Sequence, residues 1–318
     1  MLHPSLKKVL PRPESGARTP APLTLLICVI AVVITIGINA ESAQSSWDQM
    51  AKWGYLPAER VWDGALWALV TSTFVHIAVW HLVFNLYWMW HLGGAVEREL
   101  GSAKYLVLVL VLAFVSSAYQ LAVSSDTGVG ASGIVYGLLG LMWRSKEQVP
   151  RYAAVLGPET AALFIIWLVA CLVATYAGFA NIGNAAHIAG PSLGVFIAEW
   201  RIRGRYRRLA GTTIGLLSGL GLLATFSNPW SVEWLEHFAV KMHKAREYQV
   251  AAVTYERSLS FGSDSTWVLH NLALAYYSMG DSTRCVEALI RLRAKAPAKA
   301  DSLGRHLLGV GFSTAGTP

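Results

Sequence analysis

The stretch from Thr160 to Ala198 reads TAALFIIWLVACLVATYAGFANIGNAAHIAGPSLGVFIA, with no Asp, Glu, Lys or Arg anywhere in it. A helix needs about 20 apolar residues to cross a bilayer core of about 30 Å. The run is therefore too long for one crossing and too apolar for a soluble domain. Gly178, Asn181, Gly183 and Asn184 offer a turn within it. Two spans follow, near 160–177 and 185–200.

Further uncharged stretches lie on both sides, at 19–40, 64–96, 105–125, 127–143 and 209–232. In 64–96, Trp67, Thr71 and Ser72 read as loop ahead of an apolar core at 74–92. The predicted spans are 22–40, 74–92, 105–123, 130–143, 160–177, 185–200 and 211–228, which makes an all-α, polytopic membrane helical bundle. The first span is read as retained, because no clear small-residue cleavage site precedes Glu41.

Composition agrees. Of the 318 residues 54% are hydrophobic and 14% charged, against about 25% charged in an ordinary soluble domain. The depletion is local: 27 charged side chains are spread over 1–228, against 18 in the much shorter segment 229–318. Disorder, collagen-like fibre and a disulfide scaffold are excluded. Three cysteines make no framework, and Cys28 and Cys171 fall in apolar runs as small packing residues. The net charge of +7 sits beside apolar runs, which points to a lipid bilayer rather than to nucleic acid.

Lys and Arg set the orientation. With a cytoplasmic N-terminus carrying Lys7, Lys8, Arg12 and Arg18, the cytoplasmic side also collects Arg98, Lys104, Arg144, Lys146, Arg151, Arg201, Arg203, Arg205, Arg207 and Arg208. The outer side keeps Lys52 and Arg60 before the tail. Fourteen basic residues against two set this orientation and deliver 229–318 to the outer side; the expected location is a bacterial inner or plasma membrane.

That tail has a period. Leu235, Phe238, Ala239, Met242, Ala251 and Tyr255 recur, all shifted by one interval, as Leu269, Leu272, Ala273, Tyr276, Cys285 and Leu289, with Pro297 closing the second copy. The interval from 235 to 269 is the tetratricopeptide (TPR) spacing, and such repeats bind protein partners more often than they catalyse. Two copies are fewer than the roughly three an independent solenoid needs. A plain four-helix tail is the other reading.

Polar side chains inside a membrane are costly and ask for a reason. The candidates are His76, His81, His91 and His187, with Asn85 and Ser132. Ser132 lies twelve residues from Arg144 and His187 fourteen from Arg201, roughly 18 and 21 Å at helical rise. Both fall at one depth, about 10 Å below the outer surface of a core of about 30 Å.

Behind Ser132 come Gly133, Gly137 and Gly140, and behind His187 come Gly190 and Gly194. Such stripes let membrane helices approach closely. A serine and a histidine heading two such stripes make a nucleophile–base pair for acyl transfer. Ser132 also starts its helix, where free backbone N–H groups could hold an oxyanion. His81 and Asn85, four apart on one face, could add donors. The bland readings are a serine bonded within its own helix and histidines that anchor at an interface. No H-E-x-x-H pairing or carboxylate accompanies the histidines, so neither metal nor cofactor is expected.

These boxes, in order and on successive spans, resemble the rhomboid intramembrane serine proteases over about residues 60–200. Gly130-Ala131-Ser132-Gly133 resembles the family's GxSG box, His81-Leu82-Val83-Phe84-Asn85 its H-x-x-x-N, and Ala186-His187 with Gly190 and Gly194 its A-H-x-x-G-x-x-x-G. Leu92 to Arg98, then Gly101-Ser102, resembles the turn after span 2. The resemblance implies Ser132 as nucleophile, His187 as base and then acid, and His81, Asn85 and the Ser132 N–H as oxyanion donors. It also implies that the Tyr136 ring packs on His187, and that no third acid takes part.

One departure is Ala68 after Trp67, where the family carries a Trp-Arg pair. The implied activity is cleavage of peptide bonds in or near transmembrane segments of other proteins. The alternative is a catalytically silent, rhomboid-like membrane adaptor for transmembrane clients. The expected organisation is a cytoplasmic segment 1–21, a protease core 22–210, a seventh span 211–228 and a TPR-like tail 229–318 with a possible protein partner.

Overall fold

A computed structural model of the chain describes residues 20–40, 46–202 and 206–309. Lys7, Lys8, Arg12 and Arg18, together with Glu41, Arg203 and Arg205, lie outside the described residues. Among the described residues every regular element is helical. The chain divides into two compact units, Met1–Phe226 and Ser227–Pro318.

The first unit opens with helix α1 (Pro22–Ala40), which exposes Leu25, Leu26, Val29, Val33 and Ile36 and buries Thr24, Ile27, Ala31 and Thr35. The outer face is apolar through Ile36, while the inner face mixes Thr24, Ala31 and Thr35 with Ile27 and Ile38, the distribution lipid solvation favours. Three short helices follow, α2 (Trp47–Lys52), α3 (Ala58–Trp62) and α4 (Ala68–Thr71), the last running into a 3₁₀ turn at Ser72–Phe74. Helix α5 (Val79–Trp88) continues through a π-helical turn at Met89–Gly93 into α6 (Gly94–Leu100). Then come α7 (Ser102–Ser124), α8 (Ser132–Ser145), α9 (Pro150–Val155), α10 (Pro158–Tyr176), α11 (Asn184–Ile202) and α12 (Arg207–Ala224).

Three helices among the described residues, α1, α7 and α10, are each long and apolar enough to cross a membrane. Ala68–Phe74 and Val79–Leu100, bent by 99° at a short break, would make a fourth span if taken together. The expected span 74–92 is thus displaced. Val75 to Ala78 is not helical, and the long helix starts at Val79 and runs to Leu100. Helices α8, α11 and α12 are not among those long and apolar enough to cross. Helix α8 has only 14 residues, α12 opens on Arg207 and Arg208, and α11 carries Asn184, His187, Pro191 and Ser192; a helix walled by other helices need not be apolar all round.

The most extensive helix pair is α8 with α11. A methyl group added at Gly190 would collide with the Gly133 carbonyl, one at Gly194 with that of Gly137, and one at Gly140 with that of Pro191. Only hydrogen side chains allow this approach. Ion-paired Arg144 and Glu199 join the ends of the same two helices. Buried Glu97 ties three helix ends together, accepting from the backbone N–H groups of Leu23 and Thr24, at 2.9 and 2.7 Å, and from the Thr24 and Ser102 hydroxyls, at 2.7 and 2.6 Å.

The second unit contains α13 (Val232–Lys244), α14 (Tyr248–Ser260), α15 (Thr266–Ser278), α16 (Ser282–Lys295) and α17 (Pro297–Leu308). Helix starts recur at the interval read from the sequence, Val232 with Thr266 and Tyr248 with Ser282. Ser231 and Asp281 cap two of these starts with their side chains. Ala239, Ala273, Ala251, Cys285, Tyr255 and Leu289, related by the same interval, are all fully buried. Pro297 opens a fifth helix rather than only closing the second copy; proline suits a first helical position, where no N–H bond is lost.

Candidate active site

The segment before α8 is held from the side by the non-helical stretch at 75–78. Gly130 has φ +98°, in the left-handed region that favours glycine. A Cβ there would stand 2.5 Å from Cε1 of His81, so the imidazole lies directly on the bare backbone. The Gly130 N–H donates to the Ser72 carbonyl at 3.3 Å, and the Ala131 N–H to His76 Nε2 at 3.3 Å. His76 Nδ1 lies 3.2 Å from the Phe74 carbonyl. His76 therefore positions the turn that launches α8.

Ser132 is the first residue of α8, so its N–H belongs to the turn whose donors have no partner within the helix. Its Oγ lies 2.8 Å from Nε2 of His187. His187 is 5% exposed, while Ser132 remains partly open. Nδ1 of His187 is buried without a hydrogen-bond partner. With the ring proton on Nδ1, Nε2 is free to accept from the hydroxyl. The ring is held by packing: Tyr136 lies against it at 4.9 Å between centroids and 31° between planes. Tyr136 is fixed in turn by its hydroxyl, which donates to the Phe164 carbonyl at 3.1 Å.

A cavity of about 390 Å³ opens over this pair. His81 and Asn85 line it beside Ser132 and His187, so the structure brings all four into one chamber. Asn85 is 1% exposed; its amide donates to the His81 carbonyl at 3.1 Å, and its Oδ1 is unpartnered. The His76 and His81 rings meet edge-on at 5.0 Å. Phe84, Phe164 and Trp167 line the cavity, Phe84 stacked on Trp167 at 5.2 Å, and buried Trp88 backs Phe164 at 4.6 Å. Tyr55 and Asp126 lie at the rim, hydrogen-bonded at 2.7 Å. His91 stands apart, packed on Tyr87 at 4.7 Å.

Gln120, which sequence reasoning passed over, also lines the cavity. Its Oε1 accepts from the backbone N–H groups of Ala185 and Ala186 at 3.0 and 3.2 Å, and its Nε2 donates to Ser124 Oγ at 2.8 Å. The first turn of α11, which carries His187, is thus capped from α7. The available signal was an amide inside an apolar span. The slot after Trp67 is also accounted for locally, since Ala68 is fully buried while Trp67 is 52% exposed.

Comparison with known proteins bears on this chamber. Residues 63–203 match the Rhomboid domain. The segment spans α4 to α11 and holds every side chain just described except Tyr55. The chain is 33% identical over 188 residues to the Rhomboid protease GlpG of Yersinia pseudotuberculosis serotype I, covering 59% of this chain and 65% of that protein. A GlpG from Yersinia pestis (strain Pestoides F) gives the same figures. That of Serratia proteamaculans is 35% identical over 184 residues, covering 58% and 64%. The chain thus spans just under two thirds of the length of these relatives. Both comparisons support the rhomboid family.

Proposed function

We propose that this protein is an intramembrane serine endopeptidase that cleaves peptide bonds in or beside transmembrane segments of other membrane proteins. The observation that carries the reading is the 2.8 Å contact between Ser132 Oγ and His187 Nε2 at the floor of a cavity within a rhomboid domain. His187 Nε2 takes the Ser132 proton as Oγ bonds to the scissile carbonyl carbon. The resulting oxyanion is held by the Ser132 N–H, His81 and Asn85. His187 then gives the proton to the leaving amine as the C–N bond breaks. Water, activated by the same imidazole, hydrolyses the acyl-enzyme and regenerates Ser132. No third acid is required, because Tyr136 fixes the ring. Gly130 admits His81 against the backbone, and Gly133, Gly190 and Gly194 let the two helices close. Neither metal nor cofactor takes part.

The proposed organisation is a cytoplasmic segment 1–21, a six-helix core over 22–210, a seventh span 211–228 and a tail 229–318 on the outer side of a bacterial inner membrane. The recurrence of helix starts, Val232 with Thr266 and Tyr248 with Ser282, supports a TPR-like tail that binds a protein partner.

Ser132→Ala and His187→Ala in the purified full chain test the reading, with cleavage of a generic transmembrane substrate as readout. Each is expected to abolish cleavage while leaving thermal unfolding unchanged, since losing either member of such a pair costs about 10⁶ in rate. Cleavage at the wild-type rate by either variant leaves the silent adaptor standing.

A further inference from the structure

A second cavity, of about 920 Å³ against 390 Å³ for the first, opens on the other side of the α8–α11 pair, between α7, α11 and α12. It is a wedge. Far from the basic end, α12 is fastened to α7: the Tyr119 hydroxyl donates to the Leu217 carbonyl at 3.2 Å, and a Cβ at Gly221 would meet Ala118 Cβ at 3.4 Å. Towards the basic end the helices part, and the gap is walled by Val107, Leu108, Val111, Leu141, Ile197 and Ile214. Gly215 borders it with open space where a Cβ would stand. At the mouth lie Lys104 and Arg201, both exposed, beside Trp200. The Arg207 guanidinium rests over the Trp200 ring at 5.6 Å. The nearby carboxylate of Glu199 is ion-paired with Arg144.

We infer that this wedge binds one anionic phospholipid, its acyl chains between α7 and α12 and its phosphate headgroup at Lys104 and Arg201. Charge complementarity selects the occupant. A wholly apolar filling, such as the helix of a client, has no use for two cations at one end only. A headgroup phosphate at the level of an interfacial tryptophan does, and basic pockets between membrane helices recognise such headgroups. The lipid would fill a gap that water cannot occupy without stranding apolar walls. It would also brace α12 where the protein does not.

The test is native mass spectrometry of the full-length protein incubated with phosphatidylglycerol or phosphatidylcholine of identical acyl chains. Wild type should retain phosphatidylglycerol roughly tenfold better, each cation near a headgroup being worth a several-fold preference. Lys104→Gln with Arg201→Gln should bring the two lipids level. Gly215→Phe, which fills the wedge, should remove both, and Val107→Trp does the same from the opposite wall should the first variant unfold. Inorganic phosphate at millimolar concentration should displace neither lipid. The inference is overturned by wild-type phosphatidylglycerol retention in a folded wedge-filled variant, by a preference that survives loss of both cations, by displacement with phosphate alone, or by a polypeptide occupying the wedge in place of lipid.

Discussion

Arg144 is ion-paired with Glu199, and each stands twelve residues along its helix from Ser132 and His187, which meet at 2.8 Å. Helices α8 and α11 therefore run parallel and in register over roughly 18 Å. Between the two contacts the pair is closed by glycines set against carbonyl oxygens. Register and closeness together deliver the hydroxyl to the imidazole, and the closeness depends on residues without side chains.

The glycines should therefore be unforgiving. Gly190→Val and Gly194→Val each drive a side chain into a backbone carbonyl that cannot move aside. Overpacking of this kind costs about 1–3 kcal/mol, and the displaced register should remove cleavage as well. Gly219→Val on α12, which meets nothing within 4 Å, is the control and should be nearly neutral. Thermal unfolding in detergent, with cleavage measured in parallel, separates the two; equal behaviour at the three positions would contradict the packing account.

His81→Ala and Asn85→Ala should slow cleavage without abolishing it, because the backbone donor at Ser132 remains. Loss of one donor in such a site costs roughly a hundred- to a thousandfold in kcat. Asn85 already spends one of its two amide N–H donors on the His81 carbonyl, so only one is left for an oxyanion and its effect should be the smaller. Steady-state kinetics read both, and unchanged kcat in the two variants would reduce α5 to packing.

Gln120 acts through α11. Gln120→Leu removes the acceptor for two N–H groups at the turn bearing His187, and loss of such a cap costs about 0.5–2 kcal/mol. Gln120→Glu keeps the acceptor and should restore activity. The expected signature is a roughly tenfold lower kcat with KM unchanged in the leucine variant only. A KM effect alone, or no rescue by glutamate, would mean that Gln120 merely lines the cavity.

Much of this was legible because membranes make polar residues conspicuous. Ser132 and His187 could be placed at one depth by counting back from Arg144 and Arg201, and the glycine stripes marked the faces that meet. What escaped was held by distant partners. Gln120 bonds Ala185 and Ala186 on a helix far along the chain, and nothing local predicts such a pairing. The start of the second long helix was misplaced because Val75 to Ala78 are apolar enough to read as span. Their conformation is set instead by His76, which supports the Ala131 backbone. Pro297 read as a terminator because one residue type both ends and begins helices.

The proposed side of the membrane for the tail rests on α12. The stretch between Arg208 and Glu233 carries no charge and is long enough to cross the core even when tilted. The glycines at 211, 215, 219 and 221 lower the apolarity of this helix, so an interfacial placement with a cytoplasmic tail is the competing arrangement. A helix lying in the membrane plane would cross α7 at one point. Instead α12 runs beside it, with Gly211 to Gly215 facing the wedge that Lys104 to Val111 border, and Leu217 and Gly221 against Tyr119. That spread along α7 supports a crossing, with Trp230 suited to the far interface. A reporter fused after residue 318 in bacterial cells is expected to give phosphatase activity without cytoplasmic fluorescence. Fluorescence without phosphatase activity would return the tail to the cytoplasm and take the seventh span with it.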